Sequence, residues 1–119
     1  MSKPLALVCY SNLLPGSQIA NRLLDLGYTV QTAQPRELDA AADRNKPMLI
    51  LAEVSRQSDV CEAISKLKAN PNTQHIPVLA FSEAAELPQA RQAGASLVAS
   101  SSAVLGQLPH LLEQVLAVE

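Results

Sequence analysis

Apolar residues run along this chain in two alternating rhythms. Continuous short runs, as in a buried strand, alternate with stretches that repeat at the helical period. Residues 5–11, LALVCYS, read as a short buried strand. Residues 16–28, GSQIANRLLDLGY, set Ile19, Leu23 and Leu26 on one helical face and close on Gly27. TVQTA alternates as a strand does, and PRELDAAADRN opens on a proline and is rich in helix formers. PMLILAEV is the continuous apolar run of a central parallel strand, buried on both faces. SDVCEAISKLKANP predicts a helix with Val60, Ile64 and Leu67 in register, ended by Asn70-Pro71. IPVLAFS is a further buried strand, ELPQARQAGA a helix stopping at Gly94, and LVAS a short strand. QLPHLLEQVLAV is the last helix, where Pro109 is tolerable only in the first turn. This is five βα units in succession. Such alternation implies a parallel sheet with helices on both sides, joined by right-handed crossovers.

Composition narrows the function without altering that outline. The 119 residues fit one domain, 1–119, large enough to bury a core, and 48% hydrophobic against 17% charged is a globular profile. Nine basic and eleven acidic residues give a net charge of -2 and no basic cluster, so a nucleic-acid partner is not expected. Aromatics at 3%, with no Trp, leave little for a base-stacking platform. The apolar runs fall far short of a membrane span, and MSKPLALVCYS reads as a first strand and not a signal peptide. Cys9 and Cys61 are the only cysteines, and the default is two reduced thiols in a cytoplasmic protein.

Five βα units in this length are a flavodoxin-like count. Three segments carry a narrower resemblance: KPMLILAEV, then ISKLKANPNTQHIPVLAFS, then ARQAGA. Together they resemble the response-regulator receiver domain, the CheY-like family of two-component signalling, over essentially the whole chain. That resemblance implies a doubly wound sheet in the order 2-1-3-4-5, with two helices on one face and three on the other. It also implies a phosphorylation pocket. Two acids after the first strand and an Asp after the third hold Mg²⁺, a Thr or Ser after the fourth binds the phosphoryl group, and a Lys after the fifth neutralises it. In this chain the acid pair falls on Cys9 and Tyr10, or on Tyr10 and Ser11 in a register shifted by one. The acceptor position falls on Glu53, the hydroxyl position on Ser82, and the Lys position on Ser101 with Ser102 after it. The loop VSRQSDVCE lacks the usual Met-Pro and Asp-Gly and is one residue short. Only Ser82 keeps the kind of residue the family uses.

A dianionic phosphoryl group needs a divalent cation and a fixed ammonium around it. Without the acid pair Mg²⁺ loses most of its oxygen ligands, and it dehydrates reluctantly for one carboxylate. Glu53 is also a methylene too long for in-line transfer. The expectation is therefore a degenerate pseudo-receiver with no cofactor, no metal and no enzymatic activity, acting as a stand-alone, phosphorylation-independent interaction module. An atypical phosphorylatable or ligand-sensing regulator is the alternative. Glu53 has two readings: a built-in negative charge imitating the phosphorylated state, or a solvated strand-end carboxylate that caps the next helix or bonds Ser82. Cys9 reads as a buried thiol before a redox one, since nothing nearby lowers its pKa. Cys61 lies in a core register. His75 and His110 lack metal-ligand partners at a useful spacing and read as solvent-facing. Ser100 to Ser102 serve a strand-to-helix turn more readily than an anion site. SNLLPGSQ, with one glycine, is no phosphate cradle, which weakens any enzyme reading.

The chain is too short for an effector domain beside the receiver, so output is expected through a protein partner or self-association. In typical receivers the last two helices and the fifth strand form that face, and a homodimer there is expected. In the last helix Leu108, Leu111, Leu112, Val115, Leu116 and Val118 spread over roughly 160° of arc, where packing on one sheet face needs about 100°. Leu116 on one flank and Leu111 with Val118 on the other are expected to leave apolar surface exposed, unless a neighbouring helix covers a flank.

Overall fold

The computed structural model describes residues 4–10, 13–54, 60–82 and 91–117. Its strands are β1 (Leu5–Cys9), β2 (Thr29–Thr32), β3 (Leu49–Glu53), β4 (Val78–Ser82) and β5 (Leu97–Ser100). Its numbered helices are α1 (Leu13–Asp25), α2 (Leu38–Asn45), α3 (Val60–Ala69) and α4 (Ser101–Ala117). A 3-10 turn, Pro35–Glu37, leads into α2, and residues 91–93 are helical ahead of Gly94.

The five strands form one sheet in the order β2-β1-β3-β4-β5, and every neighbouring pair is parallel. This is the doubly wound, flavodoxin-like order. Strand alternation sends side chains to two separate cores. Leu7, Cys9, Ile50, Ala52, Val78 and Ala80 pack with α2 and α3. Ala6, Val8, Leu49, Leu51, Leu79 and Phe81 pack with α1 and α4. Ala93 packs against the first cluster, so the helical turn at 91–93 ends on the α2–α3 side. β3 and β4 are buried along their whole length, which is why they read as unbroken apolar runs. Each fully buried Leu, Ile or Phe is worth about 1.5–3 kcal/mol against exposure.

Three element boundaries differ from expectation, each for a local reason. α1 starts at Leu13, ahead of Gly16, because Pro15 falls in its first turn, where the missing N–H costs nothing. It also ends at Asp25, so Leu26 lies beyond the helical period and is 44% exposed instead of joining Ile19 and Leu23 in the core. α4 starts at Ser101, directly from β5. It bends at Gln107 (φ -131°, ψ 29°), and Pro109 occupies the first turn after the bend. The serine run is the cap of this helix: Ser100 Oγ accepts the Ala103 N–H at 3.1 Å.

Candidate functional site

In a parallel doubly wound sheet, ligands meet the carboxyl ends of the strands. At that edge this chain presents Cys9 and Tyr10 from β1, Glu53 and Val54 from β3, Ser82 from β4, and Ser100 and Ser101 from the β5–α4 junction. The register sets Cys9 beside Ala52, Glu53 beside Phe81, and Ser82 beside Ser100, so the sequence-predicted positions step one residue further along the strands from β1 to β3 to β4, at the same edge of the sheet. The Val54 N–H donates to the Phe81 carbonyl at 2.8 Å and carries the pairing one residue past Glu53.

The row is closed. Cys9 is 0%, Glu53 2%, Ser82 3% and Ser101 3% exposed, and Tyr10 is half-buried. The reading of Glu53 as a solvated strand-end carboxylate is thus overturned. By alternation along β3 it falls on the side of Leu49 and Leu51, under α1 and α4. Glu53 and Ser82 both have polar partners. Ser101 differs: its hydroxyl is buried with no hydrogen-bond partner. Burial pushes the Cys9 thiol up to about 12, with a smaller push from the Glu53 carboxylate, so the two groups lie within range of each other's field. Such a thiol is inert at neutral pH. Cys61, expected in the core, is half-buried against it, and burial raises its thiol too. His75 and His110 are both exposed. Ser11, most of the loop after Glu53 and Val118 lie outside the described residues.

Leu111, expected on an exposed flank, is buried at 8%, as is Leu112 at 5%. Leu116 is half-buried against the same cluster. The broad apolar arc is consumed because α4 packs on two surfaces at once, the sheet and α1. Leu111 therefore offers no exposed flank.

Two concavities were not legible in the residue pattern. A polar hollow of roughly 340 Å³ lies beside the β1 and β2 ends, lined by Tyr10, Thr32, Gln34 and Glu37. A second, of roughly 220 Å³, lies between the end of α1 and the bend of α4, with Arg22, Asp25, Leu26 and Leu105 in its walls. Both depend on where chain turns bring sequence-distant residues, and no periodicity reports that.

No family model matches the chain, and no curated relative matches it. Solved structures do. A protein of Chloroflexus aurantiacus described as a response regulator superposes with a TM-score of 0.86 at 17% identity, covering 98% of this chain and 99% of that one. A response regulator from Desulfuromonas acetoxidans gives 0.76 at 23% identity, covering 98% of each. The receiver domain of a sensor histidine kinase from Pseudomonas aeruginosa gives 0.84 at 18% identity, covering 98% and 99%; that structure carries a magnesium ion coordinated in its active-site cleft. At these identities the likeness establishes the receiver fold.

The residues here do not fit such an ion. The end of β1 nearest Glu53 offers the buried Cys9 thiol, a poor ligand for a hard cation that wants several oxygens. Among the described residues no group of three His, Cys, Asp or Glu side chains could hold a metal. No helix among them is long and apolar enough to cross a membrane.

Proposed function

We propose that this chain is a pseudo-receiver: a cytoplasmic module of two-component type that binds protein partners, keeps the receiver fold and signals without phosphorylation. The supporting observation is the closed carboxyl edge of the sheet. A phosphotransfer pocket must admit a donor, a cation and the phosphoryl oxygens. Here the acceptor position is a Glu at 2% exposure, the end of β1 a buried Cys, and the ammonium position a buried Ser. The reading assigns no catalytic role to any residue. Glu53 contributes a fixed, buried carboxylate and holds the edge in one arrangement, so recognition rests on the outer surface of the module.

Treatment with acetyl phosphate and Mg²⁺, followed by intact mass spectrometry, tests this reading. No stable phosphoryl adduct is expected. Glu53→Asp alone is expected to stay unlabelled, because the acid pair and the ammonium are still missing. An adduct on the wild type that disappears in Glu53→Gln overturns the proposal.

A further inference from the structure

We propose that a second copy of this chain docks on the groove between α1 and the bend of α4. The two α1 helices lie antiparallel across a two-fold axis, with Arg22 of each copy facing Asp25 of the other. The inference rests on the reading of the chain as an interaction module. It places self-association on α1 and not on the β5–α4 flank that the apolar arc of the last helix suggested.

Three observations carry it. First, the surface is a groove with an apolar floor. Leu26, Leu105, Leu108 and Pro109 line it, Leu26 is 44% exposed, and an adjoining hollow extends it along α1 towards Gln18.

Second, the groove carries one charge of each sign. Arg22 and Asp25 stand three residues apart, on the same side of α1, and both are exposed. Among the described residues neither makes an ion pair, although Lys46–Asp43 and Lys66–Glu62 do so at the same kinds of spacing. In two identical antiparallel helices related by a two-fold axis, residues meet when their numbers sum to a constant. An axis midway between positions 22 and 25 therefore forms both Arg–Asp contacts at once. Two opposite charges on one helix are the self-complementary pattern that a closed dimer needs.

Third, Gly106 sits within α4 and borders the groove. A glycine weakens a helix interior relative to Ala. A Cβ added there would meet nothing within 4 Å, so packing inside the monomer does not demand the glycine. Bare backbone beside an open groove is what a neighbouring chain needs for close approach.

Analytical ultracentrifugation of the full chain tests the proposal, with circular dichroism to confirm folding of each variant. The wild type is expected to form a dimer at high micromolar concentration that weakens as salt rises. Arg22→Glu or Asp25→Arg alone turns both contacts repulsive and is expected to raise the dimer dissociation constant about tenfold or more. The double swap Arg22→Asp with Asp25→Arg restores the complement and is expected to recover most of that loss. Gly106→Leu is expected to block the groove and leave a folded monomer. A wild type that stays monomeric overturns the proposal and leaves the groove to another occupant. So does a dimer indifferent to both single reversals, or one lost in Leu116→Lys, which would place it on the β5–α4 flank. None of these results bears on phosphoryl labelling, so failure here and failure of the pseudo-receiver reading are distinguishable.

Discussion

Ser101 opens α4 directly after β5, and its hydroxyl is buried without a partner. A desolvated hydroxyl that makes no hydrogen bond is a cost and not a contact. Ser101→Ala is therefore expected to leave stability unchanged or raise it by up to about 1 kcal/mol, read as a shift in urea midpoint at constant slope. A loss of that size instead would show that the hydroxyl is satisfied. Cys9 makes the opposite case, a group stabilised by staying neutral. Its folded-state pKa is raised to about 12 from 9.0, so its contribution is present in full below pH 9. It is lost as pH rises towards the folded value, at about 1.4 kcal/mol per pH unit, because the unfolded chain sheds the proton first. Alkylation of the native protein at pH 8 is expected to spare Cys9 until the chain is unfolded. Labelling of Cys9 at the rate of an exposed thiol would contradict the closed edge.

At the scale of elements, two glycines in superficially similar helix-and-turn settings predict opposite outcomes. Gly94 has φ +120°, and a Cβ there would come 2.7 Å from Lys68 Cγ. Lys68 cannot easily yield, because its ammonium donates to the Ile76 carbonyl at 2.7 Å and the Gln74 carbonyl at 3.2 Å, tying α3 to the approach to β4. Gly94→Ala is expected to cost about 1–3 kcal/mol. Gly106 has open space around it and a helical setting, so Gly106→Ala is expected to gain about 0.5–1 kcal/mol. Thermal or urea unfolding of the two variants side by side checks both signs. The same scale explains the last helix. A wheel drawn on Gln107 onward assigns Leu111 to an exposed flank, whereas a helix that starts at Ser101, bends at Gln107 and packs on both the sheet and α1 buries it.

For the whole molecule the question is what the sheet edge can bind. A ligand that binds only the folded state raises its stability in proportion to the logarithm of its concentration over its dissociation constant. Millimolar Mg²⁺ is therefore expected to leave the thermal midpoint of this protein within about 1 °C of the metal-free value, since the described residues hold no group of three His, Cys, Asp or Glu side chains that could bind it. A midpoint that climbs steadily with Mg²⁺, and returns on chelation, would mean the edge opens in solution.

The sequence by itself determined the elements and their order. Buried strands such as LILAE and VLAFS must be continuous apolar runs, and helices such as VCEAISKLKA must repeat at 3.6 residues, so period and length identify both. It also carried the expectation that the receiver's acid pair and ammonium are absent, because a residue type is read directly at each position. The tertiary structure decided exposure and neighbourhood. That Glu53 is shielded, that Leu26 is left outside and Leu111 taken in, and that Arg22 and Asp25 share a groove with Gly106 all follow from how α1 and α4 lie on the sheet. A strand-end carboxylate looks the same in sequence whether the fold leaves it open or packs over it. A helix register likewise says which residues share a face, but not how many surfaces that face will meet.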